Sequence, residues 1–375
     1  MRAIGLLFLS VLLGCTGDQV SSRSYKGHEN DVDANNLVGA YPSLVGTRLD
    51  DCQTCHSGRF VEGGLAGSSC DHCHDLLLQG AGGDARETLN AFGRDYMAAG
   101  RSVRALERIG ENDSDGDGYR NEEELLAGRY PGSELSQPGQ LMAPLLTVSL
   151  EELKMLPLHS QLLLVNATQQ ASDDYVTYTG VRVVDLLAAH AIDLAGATGI
   201  TVVAPDGYMK SLPIEDVETP FPQPLFHAGL DTGTLGAECG FVRYPETLPP
   251  ALADGSPIPG EQWLMLAWER EGVLLDPSTL DATDGRIVGE GPLRLVVPQG
   301  NPGRPDRGSR VSPSGCEDGF DFREDADHNG GSMVRGVVAI RIDPMPAGVE
   351  EFDHMNGGWA YVDAGELILY GHGVR

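Results

Sequence analysis

The stretch C-Q-T-C-H-S-G-R-F-V-E-G-G-L-A-G-S-S-C-D-H-C-H, residues 52–74, decides how the N-terminal third of the chain is organised. It contains two copies of the pattern C-x-x-C-H, at Cys52–His56 and Cys70–His74. That pattern attaches c-type haem, because two thiols three residues apart reach the two vinyl groups of one porphyrin and the next imidazole can bind the iron. The first cysteines of the two copies, Cys52 and Cys70, are 18 residues apart. We therefore predict two covalent haems in close contact, bound through Cys52, Cys55, Cys70 and Cys73.

Each motif supplies one axial iron ligand, His56 in the first and His74 in the second. The second axial ligands must come from elsewhere in the chain. We expect His28, which lies upstream, to bind one iron. The other iron is bound by Met97 or is left open on one side. His72 is a further candidate, since it lies within the second motif and could reach a neighbouring haem.

An acidic loop follows the haem motifs. Two segments of helical spacing, Leu89–Ala99 and Ser102–Ile109, lead into D-S-D-G-D-G-Y-R-N-E-E-E, residues 113–124. This loop fits the EF-hand calcium template at each ligand position. The predicted ligands are Asp113, Asp115, Asp117, the carbonyl of Tyr119, Asn121 and Glu124. The alternative is a solvated acidic loop. A single hand of this kind predicts a structural calcium ion that clamps the helices against the haem segment.

The N-terminus has the features of an export signal. Arg2 is followed by an apolar run, Ile4–Leu13, too short to cross a bilayer. The run ends in L-L-G-C, residues 12–15, which resembles the lipobox of bacterial lipoproteins. That resemblance implies a lipid anchor on Cys15. By analogy with the sorting rule of those lipoproteins, Thr16 in place of an aspartate favours the outer membrane. A simple cleaved signal is the alternative.

The cysteine inventory is consistent with an exported chain. Seven cysteines are present. Once Cys15 and the four cysteines of the haem motifs are assigned, Cys239 and Cys316 remain. An oxidising compartment predicts a disulfide between them. Such a bond would stabilise the fold by roughly 4 kcal/mol through the unfolded state.

Acidic residues greatly outnumber basic ones. The 375 residues include 55 aspartates and glutamates against 26 lysines and arginines, which gives a formal net charge of −29 at pH 7. Nucleic acids and anionic membrane surfaces attract basic patches. The composition therefore argues against both as partners, while the length allows two or three domains.

The pattern of the sequence changes after the linker-like segment Ser136–Gln140. Apolar runs typical of strands recur through the rest of the chain, and helical spacing is confined mainly to Leu150–Leu156 and Val183–Ala191. This mixture predicts an α+β domain with long loops. The strand-like runs are Leu162–Val165, Ile200–Val203, Trp263–Trp268, Leu293–Val297, Val334–Ile342 and Glu366–Tyr370.

Four short motifs carry a resemblance in this region. They are Tyr178–Leu187, Asp206–Tyr208, Leu264–Trp268 and Gly291–Pro298, and their order resembles that in the molybdopterin-binding domain of the sulfite oxidase family. The similarity covers roughly residues 145–345 and implies that family's fold. In that family the molybdenum-binding cysteine lies at the end of the strand before a T-G-V turn, whose letters here are Thr179–Val181. The segment Leu164–Thr168 has no thiol there, so we do not expect molybdenum chemistry.

A narrower resemblance covers most of the chain. Gly289–Pro292 reads G-E-G-P downstream of two C-x-x-C-H motifs, as in GEGP-motif dihaem proteins. The segments Asp327–Gly330, Arg335–Gly336, Asp343–Pro346 and Tyr370–Gly373 are also similar to that group. The resemblance implies a dihaem c-type cytochrome lipoprotein with a sulfite-oxidase-like C-terminal domain. The group is named for its motifs rather than for an activity.

A basic island interrupts the acidic C-terminal region. Five arginines lie between Arg286 and Arg310, against only Glu290 and Asp306. Arginine forks suit phosphates and other oxyanions. The candidate anion-binding residues are Arg294, Arg304, Arg307 and Arg310. The alternative is that these arginines pair with acids such as Asp321, Asp325 and Asp327.

The predicted fold class is α+β: a small, mainly helical N-terminal domain with two haems and an EF-hand-like loop, and a mixed α+β, sulfite-oxidase-like C-terminal domain. The predicted divisions are a lipoprotein signal peptide at 1–14, a polar tether at 15–44, the dihaem segment with its calcium loop at 45–137 and the sulfite-oxidase-like domain at 138–375.

The favoured function is electron transfer in the bacterial cell envelope, by a lipid-anchored protein with a redox partner protein and no nucleic-acid partner. Two alternatives stay open. One is a haem-coupled molybdopterin oxidoreductase of the sulfite oxidase type, and the other is an anion-binding or sensor lipoprotein with haem as its output. No catalytic residue can be named from the sequence, so enzyme activity stays open and an electron carrier is favoured.

Overall fold

The computed structural model describes most of the chain between residues 32 and 375, namely 32–50, 54–56, 59–61, 64–66, 89–168, 172–205, 208–230, 242–250, 252–280, 287–306, 323, 325–351, 359 and 361–375. Several predicted features lie outside the described residues: the signal peptide with Cys15, His28, Cys52, Cys70, His72, Cys73, His74, Cys239, Cys316, Arg307 and Arg310.

Helices and strands both contribute substantially to the described part of the chain. The α-helices, numbered α1 to α7, are Val32–Ala40, Ala91–Ala98, Val103–Ile109, Asn121–Leu126, Leu150–Lys154, Val183–Ala189 and Ile214–Glu218, and short 3-10 helices lie at Pro42–Leu44 and Asn329–Ser332. The strands, numbered β1 to β17, are Arg59–Val61, Gly64–Ala66, Leu141–Met142, Leu145–Ser149, His159–Val165, Asp173–Arg182, Gly199–Val203, Met209–Pro213, Val242–Arg243, Met265–Arg270, Val273–Leu274, Thr279–Leu280, Ile287–Val288, Arg294–Val296, Ala339–Asp343, Val349–Glu350 and Glu366–Gly371. The predicted mixed α+β class is confirmed.

The helices that precede residue 130 pack around one hydrophobic cluster. Its fully or almost fully buried members include Leu49, Phe92, Leu106 and Leu125. Two of these helices begin at side-chain caps, because Asn90 Oδ1 accepts from the backbone of Gly93 and Ser102 Oγ accepts from that of Ala105. The predicted helices at 89–99 and 102–109 are therefore confirmed, with their starts moved to the residues after the caps.

Two larger sheets form the region after residue 140. The order β11-β10-β6-β5 makes up one, with β14 also paired to β10 and β9 to β6, and the order β4-β17-β15-β7-β8 makes up the other. The main hydrophobic core contains residues of both sheets, for example Val176 and Leu266 from the first and Val202 and Ile340 from the second. Each predicted strand-like run contributes at least part of a strand.

The T-G-V segment lies inside β6 and does not form the turn that the resemblance implies. Gly180 is paired with His159 on one side and with Ala267 on the other. A Cβ atom at Gly180 would lie 1.9 Å from the carbonyl oxygen of Leu266. Glycine is therefore required here because β10 approaches β6 closely at an irregularity in their pairing, between Ala267 and Glu269.

The segment Ser136–Gln140, predicted as a linker, is packed against the C-terminal part of the chain. Ser136 is buried, and its hydroxyl donates to Glu350 Oε1 at 2.8 Å. Strand β3 then pairs in parallel with β16, with Met142 opposite Glu350. No helix among the described residues is long and apolar enough to cross a membrane.

Candidate functional site

Hydrogen bonds made by Thr54 and Asn90 hold the described residues of the first C-x-x-C-H motif in place. Thr54 is fully buried, and its hydroxyl donates to the carbonyl of Leu49 at 2.8 Å. Asn90 contributes twice, since Nδ2 donates to the carbonyl of Thr54 at 3.0 Å and its backbone N–H donates to that of Cys55 at 2.9 Å. The residue that caps helix α2 thus also fixes the backbone at Cys55, the predicted attachment cysteine.

Helix α2 comes so close to this motif that only glycine fits at one position. A Cβ atom on Gly93 would lie 2.3 Å from the carbonyl oxygen of Cys55. Met97 follows one turn later, at the spacing that places two residues on the same helix face. It is 39% exposed. The predicted distal ligand Met97 is therefore on the same helix that contacts Cys55.

His56 lies near the start of helix α1. Burial by itself raises the pKa of Asp33, but hydrogen bonds from Arg101 and Tyr96 lower it below its ordinary value, and the charge of His56 contributes in the same direction. The Tyr96 hydroxyl donates to Asp33 Oδ1 at 2.8 Å.

The acidic loop is shaped by hydrogen bonds from its own backbone. Asp113 Oδ1 accepts from Gly116 N at 2.7 Å, and Oδ2 accepts from Gly118 N at 2.9 Å. Both glycines have left-handed backbone conformations, with φ of 83° and 100°. Asp117 Oδ1 accepts from Tyr119 N at 2.9 Å. The loop is therefore folded tightly around its first aspartate.

Four buried carboxylate oxygens of this loop have no hydrogen-bond donor among the described residues. They are Asp115 Oδ2, Asp117 Oδ2 and both oxygens of Glu124. Burial, together with the neighbouring aspartates, raises the pKa of Glu124 to about 9, and burial together with Asp117 and Asp113 raises that of Asp115 to about 6. A buried acceptor without a partner is costly. These oxygens, one each from Asp115 and Asp117 and two from Glu124, are of the carboxylate type that Ca²⁺ takes as ligands.

Of the predicted calcium ligands, the structure groups the three aspartates, and Glu124 lies outside that group. One carboxylate oxygen each of Asp113, Asp115 and Asp117 lies within 4.8 Å of the others, and this is the one such group of three or more among the described residues. Asn121 is used differently. Its Oδ1 accepts from Ser114 N at 3.2 Å and its Nδ2 donates to Ile109 O at 2.7 Å. The amide of Asn121 thus closes the loop by internal hydrogen bonds.

The G-E-G-P motif forms the centre of an ion-pair network. Glu290 Oε1 lies 3.2 Å from Arg270 Nη1 and also pairs closely with Arg294 Nη1. Burial by itself raises the pKa of Glu290, but Arg294 and Arg270 lower it below its ordinary value. A Cβ atom on Gly289 would lie 2.4 Å from the carbonyl of Pro277. The motif therefore has a structural explanation in this chain, as a tight loop that holds a partly buried glutamate between arginines.

The two described candidate arginines of the basic island differ in their exposure to solvent. Arg294 is buried, pairs with Glu290 and lies over the ring of Tyr178, with 5.4 Å between its guanidinium carbon and the ring centroid. Arg304 is exposed, and its charge helps to lower the pKa of His227, which burial also lowers. Arg294 is thus bound to an internal carboxylate, whereas Arg304 is accessible. Sequence reasoning missed Arg270 and Asp174, which extend this network at 2.8 Å.

Asn166 follows β5 and lies within the segment Leu164–Thr168, where the sulfite oxidase resemblance implies a cysteine. It is buried, and its Nδ2 donates to Asp306 Oδ1 at 2.5 Å while its N–H donates to Asn329 Oδ1 at 2.9 Å. Its carbonyl accepts from Gly330 N at 2.8 Å. An amide committed to these internal hydrogen bonds offers no thiolate for molybdenum. The described residue at this position does not fit the thiolate ligand of that family's molybdenum centre.

The structure places the described candidate residues in separate groups. Cys55, His56 and Met97 lie around helices α1 and α2, the aspartates and Glu124 form the acidic loop, and Arg294 lies in the six-stranded sheet. Comparison with known proteins found nothing similar: no protein-family model, no curated protein and no solved structure matches this chain.

Proposed function

We propose that this chain is an electron-transfer protein of the bacterial cell envelope, a dihaem c-type cytochrome whose haem segment is stabilised by calcium. The observation that carries the proposal is the pair of C-x-x-C-H motifs within residues 52–74. The chemistry that the haems supply is the reversible gain and loss of one electron at each iron.

The chain's own residues would bind and orient these groups. Cys52 and Cys55 would form thioethers to one haem and Cys70 and Cys73 to the other, with His56 and His74 as axial ligands. The candidates for the second axial ligands remain His28, Met97 and His72. Asn90 and Thr54 support the first site, because their hydrogen bonds fix the backbone beside Cys55.

Calcium is the second cofactor of the proposal. Asp113, Asp115, Asp117 and Glu124 would supply carboxylate oxygens, and Tyr119 its carbonyl. The four buried oxygens without donors among the described residues support this, since a divalent cation would satisfy them together and offset the mutual repulsion of the carboxylates. Asn121 would act by holding the loop closed.

The two alternative functions have less support. A haem-coupled molybdopterin oxidoreductase would need a metal ligand at Asn166, whose amide is committed to Asp306 and Asn329. An anion-binding or sensor protein would need accessible arginines. Arg294 is buried against Glu290, which leaves Arg304 as the exposed candidate among the described residues. We therefore favour an electron carrier with a redox partner protein in the envelope, anchored there through a lipid on Cys15.

An absorption spectrum combined with metal analysis tests the proposal. Protein produced in a host that matures cytochromes c and supplies molybdenum should show c-type haem bands, two irons per chain and no stoichiometric molybdenum. A preparation from a host without the maturation system serves as the control. One molybdenum per chain would favour the oxidoreductase, and absence of haem would contradict the proposal.

A further inference from the structure

One end of helix α2 (Ala91–Ala98) holds the first haem motif. Its cap residue Asn90 donates one hydrogen bond to the carbonyl of Thr54 at 3.0 Å and another to that of Cys55 at 2.9 Å. Gly93 lies against the same Cys55 carbonyl. A displacement or rotation of this helix would therefore move the backbone that carries the haem-attachment cysteine.

The calcium loop is tied to the same helix through Asp95. Asp95 Oδ2 accepts from Ser114 Oγ at 2.8 Å and from Asn112 Nδ2 at 3.4 Å. Ser114 stands between the proposed calcium ligands Asp113 and Asp115, so its position follows theirs. Asn121 Nδ2 donates to the same Ser114 hydroxyl at 2.9 Å, which links the far end of the loop to this contact.

The helix between these two contacts is firmly packed. Phe92 and Tyr96 are buried in the cluster of the N-terminal helices, and Cys55 packs against that cluster as well. Closely packed interiors transmit displacements instead of absorbing them. Glu124 is the group that a cation would stabilise, because its fully buried carboxylate has no hydrogen-bond donor for either oxygen among the described residues.

We propose that helix α2 couples calcium binding at Asp113–Glu124 to the haem attached at Cys55, with Asn90 and Asp95 as positioning residues. This inference rests on the proposed function. In this coupling, calcium brings the carboxylates of Asp113 and Asp115 together, and Ser114, which stands between them, holds the side chain of Asp95. At the start of the same helix, Asn90 holds the backbone of the first C-x-x-C-H motif. The reduction potential of a haem depends on the geometry and surroundings of its axial ligand. Calcium therefore sets the potential of the first haem, the one attached at Cys55.

Thermodynamic linkage makes the coupling measurable from both sides. If calcium shifts the midpoint potential of the first haem, reduction of that haem must change the affinity for calcium by the corresponding factor. For one electron, a tenfold difference in calcium affinity between the two oxidation states corresponds to a shift of about 59 mV.

The experiment is a mediated potentiometric titration of the full-length dihaem protein, followed by haem absorbance, in calcium and in chelator. We expect one of the two midpoints to move. A Cys70→Ala/Cys73→Ala variant should keep the calcium-dependent shift in its remaining haem. A Cys52→Ala/Cys55→Ala variant should show no shift.

Two substitutions at Asp95 test the role of the helix. Asp95→Ala should abolish the calcium-dependent shift in potential and keep the calcium-dependent rise in Tm, because no calcium ligand is removed. Asp95→Asn should restore the shift, since its Oδ1 can still accept from Ser114. Midpoints that are equal in calcium and chelator, a shift confined to the second haem, or a shift that persists in Asp95→Ala would each overturn the inference and leave the dihaem proposal standing. A protein without covalent haem would overturn both.

Discussion

Arg48 Nη2 lies 2.6 Å from Glu350 Oε1, although 302 residues separate the two along the chain. Arg129 pairs with the other carboxylate oxygen of Glu350, and Ser136 donates to Oε1. The glutamate is 5% exposed. One buried carboxylate thus binds the helical N-terminal segment to the strands of the C-terminal region.

The first prediction concerns this contact. Glu350→Gln removes the charge that compensates two largely buried arginines, so we expect the free energy of unfolding to fall by about 3 kcal/mol. Urea unfolding at neutral pH measures it. Glu134→Gln, at an exposed glutamate of the same segment, is the control and should change stability by less than about 0.5 kcal/mol. Equal stability of the two variants would show that the contact contributes little.

The second prediction concerns calcium. Calcium should raise the Tm of the wild-type protein, because a ligand that binds only the folded state stabilises it, by about 2.7 kcal/mol at a hundredfold excess over Kd. Glu124→Gln should lose most of that rise. In chelator the same variant should melt at or above the wild-type temperature, because it lacks a buried carboxylate without a partner. Glu122→Gln, two residues away, is the matched control and should retain the calcium response. Identical wild-type melting curves in calcium and chelator would contradict the site.

The third prediction concerns Gly93. An alanine inside a helix is ordinarily more stable than glycine by about 0.5–1 kcal/mol. At Gly93 we expect the opposite sign, because the added Cβ would lie 2.3 Å from the carbonyl oxygen of Cys55. Gly93→Ala should lower both the Tm and the yield of protein with haem at Cys52 and Cys55. Gly39→Ala should cost less, since its Cβ meets only the movable side-chain atom Val103 Cγ2, at 3.2 Å. Stabilisation by Gly93→Ala would contradict the close packing of helix α2 on the motif.

The fourth prediction concerns pH. Burial, with smaller contributions from Asp306 and Asp174, raises the pKa of Asp173 to about 8. The folded state therefore keeps a proton on Asp173 that the unfolded state releases near pH 4. The free energy of unfolding consequently falls as the pH rises from about 4 to 8. The slope is at most about 1.4 kcal/mol per pH unit.

Asp173→Asn tests this, because asparagine still accepts from Ala167 N, as Asp173 Oδ1 does at 3.2 Å. The variant should lose less stability than the wild type between pH 5 and pH 8, measured by urea unfolding. Asp193→Asn, at an exposed position, should follow the wild type. Parallel pH profiles for Asp173→Asn and the wild type would contradict the raised pKa.

Local patterns predicted much of the fold. Helical spacing predicted the helices at 89–99 and 102–109, and the six apolar runs predicted six of the strands in the two larger sheets. The EF-hand spacing of the acidic loop predicted that Asp113, Asp115 and Asp117 lie close together, as they do. Asn121 is the exception, since a side chain that can both donate and accept is satisfied within the loop.

Contacts between distant segments could not be predicted in the same way. Neither Arg48 nor Glu350 has neighbours in sequence that indicate its partner. From the sequence, the G-E-G-P motif indicates only a resemblance to other proteins. Its role in an ion-pair network depends on Arg270 and Arg294, which lie beside Glu290 in the structure. For Asn166, likewise, the sequence shows only that its segment has no thiol. Its hydrogen bonds to Asp306 and Asn329 depend on segments more than a hundred residues away.

The count of covalent haems tests the central claim most directly. Intact-mass measurement of protein matured in a cytochrome c host should show two haems per chain, and one haem in each of Cys52→Ala/Cys55→Ala and Cys70→Ala/Cys73→Ala. An intact mass equal to that of the polypeptide without covalently attached haem would contradict the account.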